Sequence, residues 1–180
     1  MKREIILKGN KCVLRSYKKD DIDPMAKIAN NKAIAKNMYS GWPNPYTKKD
    51  AKLWVERNLK EQTIIKFPLK LAIEVNGVFA GGIGGSIKEN SNNSAMSFGY
   101  WLDEKFWGKG IITEAIELFI EYIFKNTKIC RISATVYPWN EGSKKVLEKT
   151  GFKLEGIMRR SYFKNGKMTD EYLYSKLKND

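Results

Sequence analysis

The chain has 180 residues, with 33 Lys and Arg against 20 Asp and Glu, two cysteines and no histidine. That length fits one domain, residues 1–180, whose core needs no staples. Without histidine, and with Cys12 and Cys130 far apart, the ligands zinc prefers are missing, so no metal is predicted. A net charge of +13 attracts anions, yet no basic run exceeds a pair, unlike a nucleic-acid-binding tail. An anionic partner is therefore expected, without direct nucleic-acid recognition. The charged start Met1-Lys2-Arg3-Glu4, with no long apolar run behind it, reads as a cytoplasmic chain with no signal peptide and no membrane span.

Two short strands, about Glu4 to Leu7 and Lys11 to Ser16, are predicted across Gly9-Asn10, and Asp20 or Asp21 can cap the helix that follows. Helical patterns cover about Ile22 to Asn30, Lys32 to Met38 and Lys48 to Leu59, the last preceded by Thr47 with Asp50 in capping-box spacing. From Leu69 the period changes to two. Strands near Leu69 to Val75 and Val78 to Ile87 flank Asn76-Gly77, a strong hairpin signal. A strand from about Ser94 to Leu102 leads into a glycine turn and a helix ending near Phe124. A strand at Arg131 to Val136, a helix from Asn140 to Lys149 and two strands around Asn165-Gly166 complete the chain. The fold class is α+β, a mixed, mostly antiparallel central sheet flanked by helices.

Two segments carry chemistry. In Tyr100 to Ala115 an aromatic strand passes through Trp107-Gly108-Lys109-Gly110 into a helix with Ile112, Ala115, Ile116 and Phe119 on one face. Gly108 and Gly110 clear the approach to the backbone, and the first amides of the helix have no intrahelical partners, which suits an anion cradle; the alternative is a loop that uses Gly only for its backbone freedom. The segment lacks Gly-Lys-Ser/Thr and a third glycine, which disfavours both familiar nucleotide-binding loops. In Val136 to Phe152 a strand, turn and helix again follow one another. Asn140 reads as a helix cap and Gly151 as a helix stop, and Ser143 as a polar group that could orient a ligand.

Together these segments resemble the Gcn5-related N-acetyltransferase superfamily, within it the ribosomal-protein alanine acetyltransferases of the RimJ and RimL type. The resemblance extends from Leu7-Lys8-Gly9 through Trp42-Pro43-Asn44-Pro45-Tyr46-Thr47 to Arg159, Tyr162, Asn165-Gly166-Lys167, Asp170 and Tyr174. It implies acetyl-CoA as co-substrate, with a splayed strand pair holding it. On this reading Tyr100, Trp101 and Leu102 grip the pantetheine arm. Trp107, Gly108, Lys109, Gly110, Ile111, Ile112 and Thr113 form the pyrophosphate cradle, and Lys145 or Lys144 offsets charge. The amide of Trp101 or Leu102 would serve as oxyanion donor, Ser143 as proton donor and Asn140 as its support.

The sequence departs from the family in three places. The strand position at which relatives often carry a glutamate is Ser97, the position of the usual tyrosine acid is Leu147, and Ile112 stands where Gly or Ala is common. The base is then a water relay or a carboxylate brought from elsewhere, for which Glu74 and Asp103 are the candidates. The implied acceptor is a primary amine, either the α-amine of a ribosomal or other protein N-terminus or a small amino compound. The family also allows a homodimer. A CoA-binding module without chemistry, a polyamine or aminoglycoside acetyltransferase, and an RNA-associated protein driven by charge are the alternatives.

Overall fold

The computed structural model describes residues 5–65, 67–89 and 91–180. Met1 to Glu4, which carry the reading of the charged start and the beginning of the first predicted strand, lie outside the described residues. Eight strands form one sheet: β1 (Ile6–Lys8), β2 (Val13–Arg15), β3 (Lys70–Val75), β4 (Val78–Ile87), β5 (Ala95–Leu102), β6 (Arg131–Val136), β7 (Lys153–Lys164) and β8 (Lys167–Leu177). They lie in the order β1-β2-β3-β4-β5-β6-β8-β7. Every pairing is antiparallel except β5 with β6. The helices are α1 (Ile22–Ala29), α2 (Lys32–Asn37), α3 (Lys48–Ile64), α4 (Ile111–Asn126) and α5 (Glu141–Lys149).

The turns follow the chemistry of their residues. Asn76-Gly77 and Asn165-Gly166 all adopt positive φ, the paired left-handed geometry of two-residue hairpins. Thr47 Oγ1 accepts from the Asp50 amide while the Asp50 carboxylate accepts from the Thr47 amide at 2.8 Å, a complete capping box that starts α3. That helix continues five residues past the predicted Leu59. Asp21 departs from its expected role: it stands at the start of α1 but makes no side-chain cap there. Its carboxylate is buried and takes two hydrogen bonds from the Arg15 guanidinium at 2.8 and 2.7 Å and one from the Lys18 amide at 2.8 Å, so it closes the 3-10 turn before α1 and neutralises a buried cation instead of capping α1.

The sheet is covered on both faces. Met96, Phe98 and Leu102 of β5 pack with Phe119 and Ile123 of α4 and Leu147 of α5, whereas Trp101 packs with Tyr17, Met25 and Val55 toward α1–α3. Strand alternation thus sends neighbouring residues of β5 into two separate cores. A parallel pair requires a crossover, here supplied by the glycine turn and α4. The β5–β6 register nevertheless holds for three pairs only, Ala95 with Arg131, Met96 with Ile132 and Ser97 with Ser133. Beyond Ser97 the two strands part, β5 staying with β4 as far as Leu102 and β6 with β8 as far as Val136. The opening between them is a gap through the middle of the sheet.

Candidate active site

A cleft of about 870 Å³ occupies this gap. Tyr100 and Ser143 line it from the α4–α5 side, Trp101, Trp42 and Tyr162 from the α1–α3 side, so it connects the two faces of the sheet. Along the gap the β6-facing backbone edge of Phe98 to Leu102 has no strand partner, which leaves its polar groups for a ligand lying in the cleft.

The glycine turn closes one end. Gly108 and Gly110 both have φ of 73°, a conformation that penalises any side chain, and Gly110 is the residue from which α4 starts. No protein atom would meet a Cβ on Gly108 within 4 Å, so the space beside it is open for a bound group. Trp107 spans the turn: its indole N–H donates to the Leu102 carbonyl at 2.9 Å, tying the loop to the end of β5. Of the residues predicted for the cofactor, Tyr100, Trp101, Leu102, Trp107, Gly108, Gly110, Ile111, Ile112, Asn140, Ser143 and Lys145 line the cleft. Lys109 and Thr113 do not. The Lys109 ammonium lies over the Phe106 ring, 5.7 Å from its centroid. Lys144 is also engaged elsewhere, donating to the Pro138 carbonyl and to Glu141 at 2.8 Å each.

The turn is held from a distant part of the chain. The Glu114 carboxylate in the first turn of α4 accepts the amides of Asn10, Lys11 and Cys12 at 2.9, 2.8 and 3.0 Å. Burial works against its charge, but the amide donors outweigh it and hold the carboxyl below its ordinary range. This clamp brings the Lys11 ammonium to the Lys109 carbonyl at 3.3 Å, and a Cβ on Gly110 would lie 2.8 Å from it. Lys11 is a cation at the anion cradle that local spacing could not reveal, since 98 residues separate it from its partner.

At the middle of the cleft the predicted pair stands where the sequence placed it. Asn140 caps α5, its Oδ1 accepting from the Ser143 amide at 3.2 Å. Ser143 Oγ lies 2.7 Å from the hydroxyl of Tyr100, a residue for which the sequence predicts only a grip on the pantetheine arm. Burial pushes the Tyr100 phenol up to about 12, against the opposing effect of the Ser143 hydrogen bond, so it remains protonated at neutral pH. Leu147 is fully buried core.

The other end is walled by side chains. Trp42 meets Tyr46 and Trp101 at ring-centroid distances of 4.9 and 5.5 Å, and Tyr46 is buried, so the apolar loop before α3 serves both the core and the wall. Ser40 fastens this loop to β7: its amide donates to the Tyr162 hydroxyl at 2.8 Å and its hydroxyl to the Phe163 carbonyl at 2.7 Å. The buried Lys164 ammonium donates to the Ala35 and Met38 carbonyls. Burial lowers its pKa. Two shielded atoms on this side, Asn37 Oδ1 and Trp42 Nε1, have no hydrogen-bond partner among the described residues.

Neither predicted carboxylate base reaches the cleft. Glu74 is paired with Arg15 at 2.5 Å on β3, and Asp103 accepts the Lys105 amide and pairs with the Lys105 ammonium at 3.2 Å. Among the described residues the carboxylates that line the cleft are Glu141 and Glu171. Glu171 sits one residue before Tyr172, the partner of Val136 at the end of β6, and only this cross-strand register brings it to the opening.

Comparison with known proteins agrees with this geometry. Residues 11–153 match the family model described as acetyltransferase (GNAT) domain. The chain is 46% identical over 82 residues to the probable N-acetyltransferase YjcK of Bacillus subtilis, covering 46% of this chain and 45% of that one. It is 32% identical over 85 residues to the ribosomal-protein-serine acetyltransferase of Escherichia coli, covering 47% and 48%. The chain thus spans about half the length of these curated relatives. The solved structure titled RimL, ribosomal L7/L12 alpha-N-protein acetyltransferase in complex with coenzyme A, superposes with a TM-score of 0.84 at 23% identity, covering 96% of this chain and 98% of that one. A sheet split between β5 and β6, a left-handed glycine turn opening α4 and a family match over 143 of 180 residues point the same way, and the chain belongs to the acetyltransferase (GNAT) domain family.

Proposed function

We propose that this chain, acting as a single domain, is an acetyl-CoA-dependent N-acetyltransferase that acetylates the α-amine of a protein or peptide N-terminus in the cytoplasm. The observation that carries the reading is the cleft through the sheet, with an anion cradle at one end, a free strand edge along its side and a hydroxyl pair at its middle. The cradle of Gly108, Gly110 and the first amides of α4, with Lys11 beside it, suits a pyrophosphate. The open edge of β5 suits an extended amide-bearing arm, which would pair with it as an added strand.

In the reaction the acceptor's neutral amine attacks the thioester carbonyl carbon. The C–N bond forms, the C–S bond breaks and the thiolate leaves. A β5 amide at Trp101 or Leu102 donates to the developing oxyanion, the attacking nitrogen gives up its proton to solvent in the open cleft, and Ser143 Oγ delivers a proton to the sulfur and regains one from that solvent through the Tyr100 hydroxyl. An α-amine, with a pKa near 7.7 to 8.0 against about 10.4 for lysine, is substantially neutral without a strong base. Asn37 Oδ1 and Trp42 Nε1 offer an acceptor and a donor that a peptide's N–H and C=O can satisfy after a side-chain adjustment, whereas a polyamine brings no carbonyl. The RimL structure, titled as an α-N-protein acetyltransferase with coenzyme A, and the ribosomal-protein-serine acetyltransferase support this substrate class.

The test is calorimetric titration with acetyl-CoA, followed by free-thiol detection with peptides beginning in Ala, Ser and Met, and with spermidine and kanamycin as controls. Binding with thiol release on peptides is expected. Binding without release on any amine would favour a CoA-binding module. Release confined to spermidine or kanamycin would replace the substrate class, and no binding at all would overturn the transferase reading.

A further inference from the structure

We propose that Glu171 is the residue that first receives the acceptor's ammonium group, before the amine loses a proton to solvent and attacks as the neutral form, so that the site selects a primary amine carried beside an aromatic wall. This rests on the transferase reading and adds the residue that reads the amine.

The case begins with an unbalanced charge. Glu171 is 9% exposed, comparable to Asp21 at 3%, in a chain with thirteen more basic than acidic residues. Asp21 is held by the bidentate Arg15 guanidinium, and Glu74 by the same arginine. Glu171 has no Lys or Arg nitrogen within 4 Å among the described residues. Among the described residues its one hydrogen bond is from Ser161 Oγ to Oε2 at 2.8 Å. A buried carboxylate is costly unless paired, and one hydroxyl leaves most of its acceptor capacity unused. Since Glu171 lines the cleft, the missing cation can come from a ligand.

The backbone is bent to create this arrangement. Met158 pairs with Glu171 and Tyr162 with Thr169, so Arg159, Arg160 and Ser161 together oppose Asp170 alone. Arg160 takes a φ of 49°, a strained conformation for a residue of its size, and its amide is caught by Asp170 Oδ1 at 2.8 Å. A bulge of this kind re-aims side chains. Here it turns Ser161 to Glu171 and, one residue on, leaves the Tyr162 hydroxyl against the Ser40 amide of the Trp42 loop.

The surroundings suit an ammonium. The Tyr137 and Tyr162 rings lie 5.7 Å apart, and Tyr137 stacks on Trp139 at 4.9 Å, all three lining the same cleft. The Lys164 ammonium, held by the Ala35 and Met38 carbonyls, lies 5.3 Å from the Tyr137 centroid and leaves the Tyr162 and Trp139 rings for a ligand's cation. Aromatic faces beside a carboxylate attract a cation while excluding water. The fixed charge lies at the side-chain-built end of the cleft, away from the cradle where phosphates belong.

Glu171→Gln tests the assignment, because glutamine keeps the size and the oxygen that accepts from Ser161 while losing the charge. With the peptide the wild type acetylates best, KM for the peptide is expected to rise at least tenfold, the acetyl-CoA Kd to stay within twofold and the melting temperature to hold. Glu171→Asp should recover part of the loss. Unchanged peptide KM and kcat in Glu171→Gln would overturn the proposal. An activity-independent arm uses crystals of the CoA complex soaked with alaninamide. An ammonium nitrogen within about 3.2 Å of a Glu171 oxygen is expected; a nitrogen bound elsewhere, or none bound, overturns it. Loss of acetyl-CoA binding in the wild type would instead refute the transferase reading, so the two failures remain distinct.

Discussion

The two ends of the cleft are built from different materials. At the end we assign to the donor the available groups are main-chain: amides at the start of α4, two glycines at φ of 73° and the unpaired edge of β5. At the acceptor end they are side chains brought from the loop after α2, the end of β6 and the bulged β7–β8 hairpin. Backbone geometry requires only a few permissive residues at fixed spacing, so one cradle can serve many chains. A wall of side chains is free to change, and on the proposed function it is the part that would choose the amine. The hydroxyl pair Tyr100 and Ser143 stands at the junction, joining a β5 residue to the first turn of α5.

This contrast can be broken by separating binding from turnover. The largest effect is expected at the junction: Ser143→Ala should lower kcat about 100-fold while leaving the acetyl-CoA Kd within twofold. Wild-type turnover in steady-state thiol release would move the proton donor elsewhere. Gly110→Val strikes the donor end. A β-branched residue at this φ costs about 1–3 kcal/mol and crowds the Lys11 ammonium, so acetyl-CoA affinity should fall roughly tenfold or more by calorimetry. An unchanged Kd would remove the cradle from the donor end.

A third substitution asks how far the cradle depends on its clamp. Glu114→Ala strands three amides of the β1–β2 turn, and a loss of about 2 kcal/mol is expected, read as a fall of about 4–8 °C in thermal unfolding. Acetyl-CoA affinity should drop with it as Lys11 loses its place. The smallest effect is one of pH, away from both ends. The Arg131 guanidinium and the Ser175 hydroxyl hold the Glu155 carboxyl down at about 2 against an ordinary 4.5. A depressed carboxyl stabilises the fold above its ordinary value and loses that contribution as pH falls from about 4.5 toward about 2. The pair is about one-third exposed, which screens it, so Glu155→Gln should only modestly flatten the acid limb of the melting-temperature profile. An unaltered limb would show the pair to be inert.

The sequence and the structure agree most closely where information is local. Asn76-Gly77, Asn165-Gly166, the Thr47–Asp50 box, the Asn140 cap and the Gly151 stop, at φ of 81°, are each set by residues within a few positions of one another. Asp21 shows the limit of that logic. Its type and place suited a cap, but Arg15 lay close enough in the folded chain to claim the carboxylate. Glu74 and Asp103 fail as bases for the same reason: acidity is legible in a sequence, whereas the neighbour that consumes it is not.

By itself, the sequence determined the succession of strands and helices, the glycine turn that opens α4 and the Asn140–Ser143 step into α5. Periodicity, capping and left-handed turns are short-range properties. Only the tertiary structure decided that β5 and β6 part after three residue pairs, that Tyr100 turns its hydroxyl to Ser143, that Glu114 carries Lys11 to the cradle and that a bulge brings Glu171 to the far wall. Each of these joins segments separated by tens of residues, and strand register and helix packing, rather than spacing along the chain, fix which side chains meet.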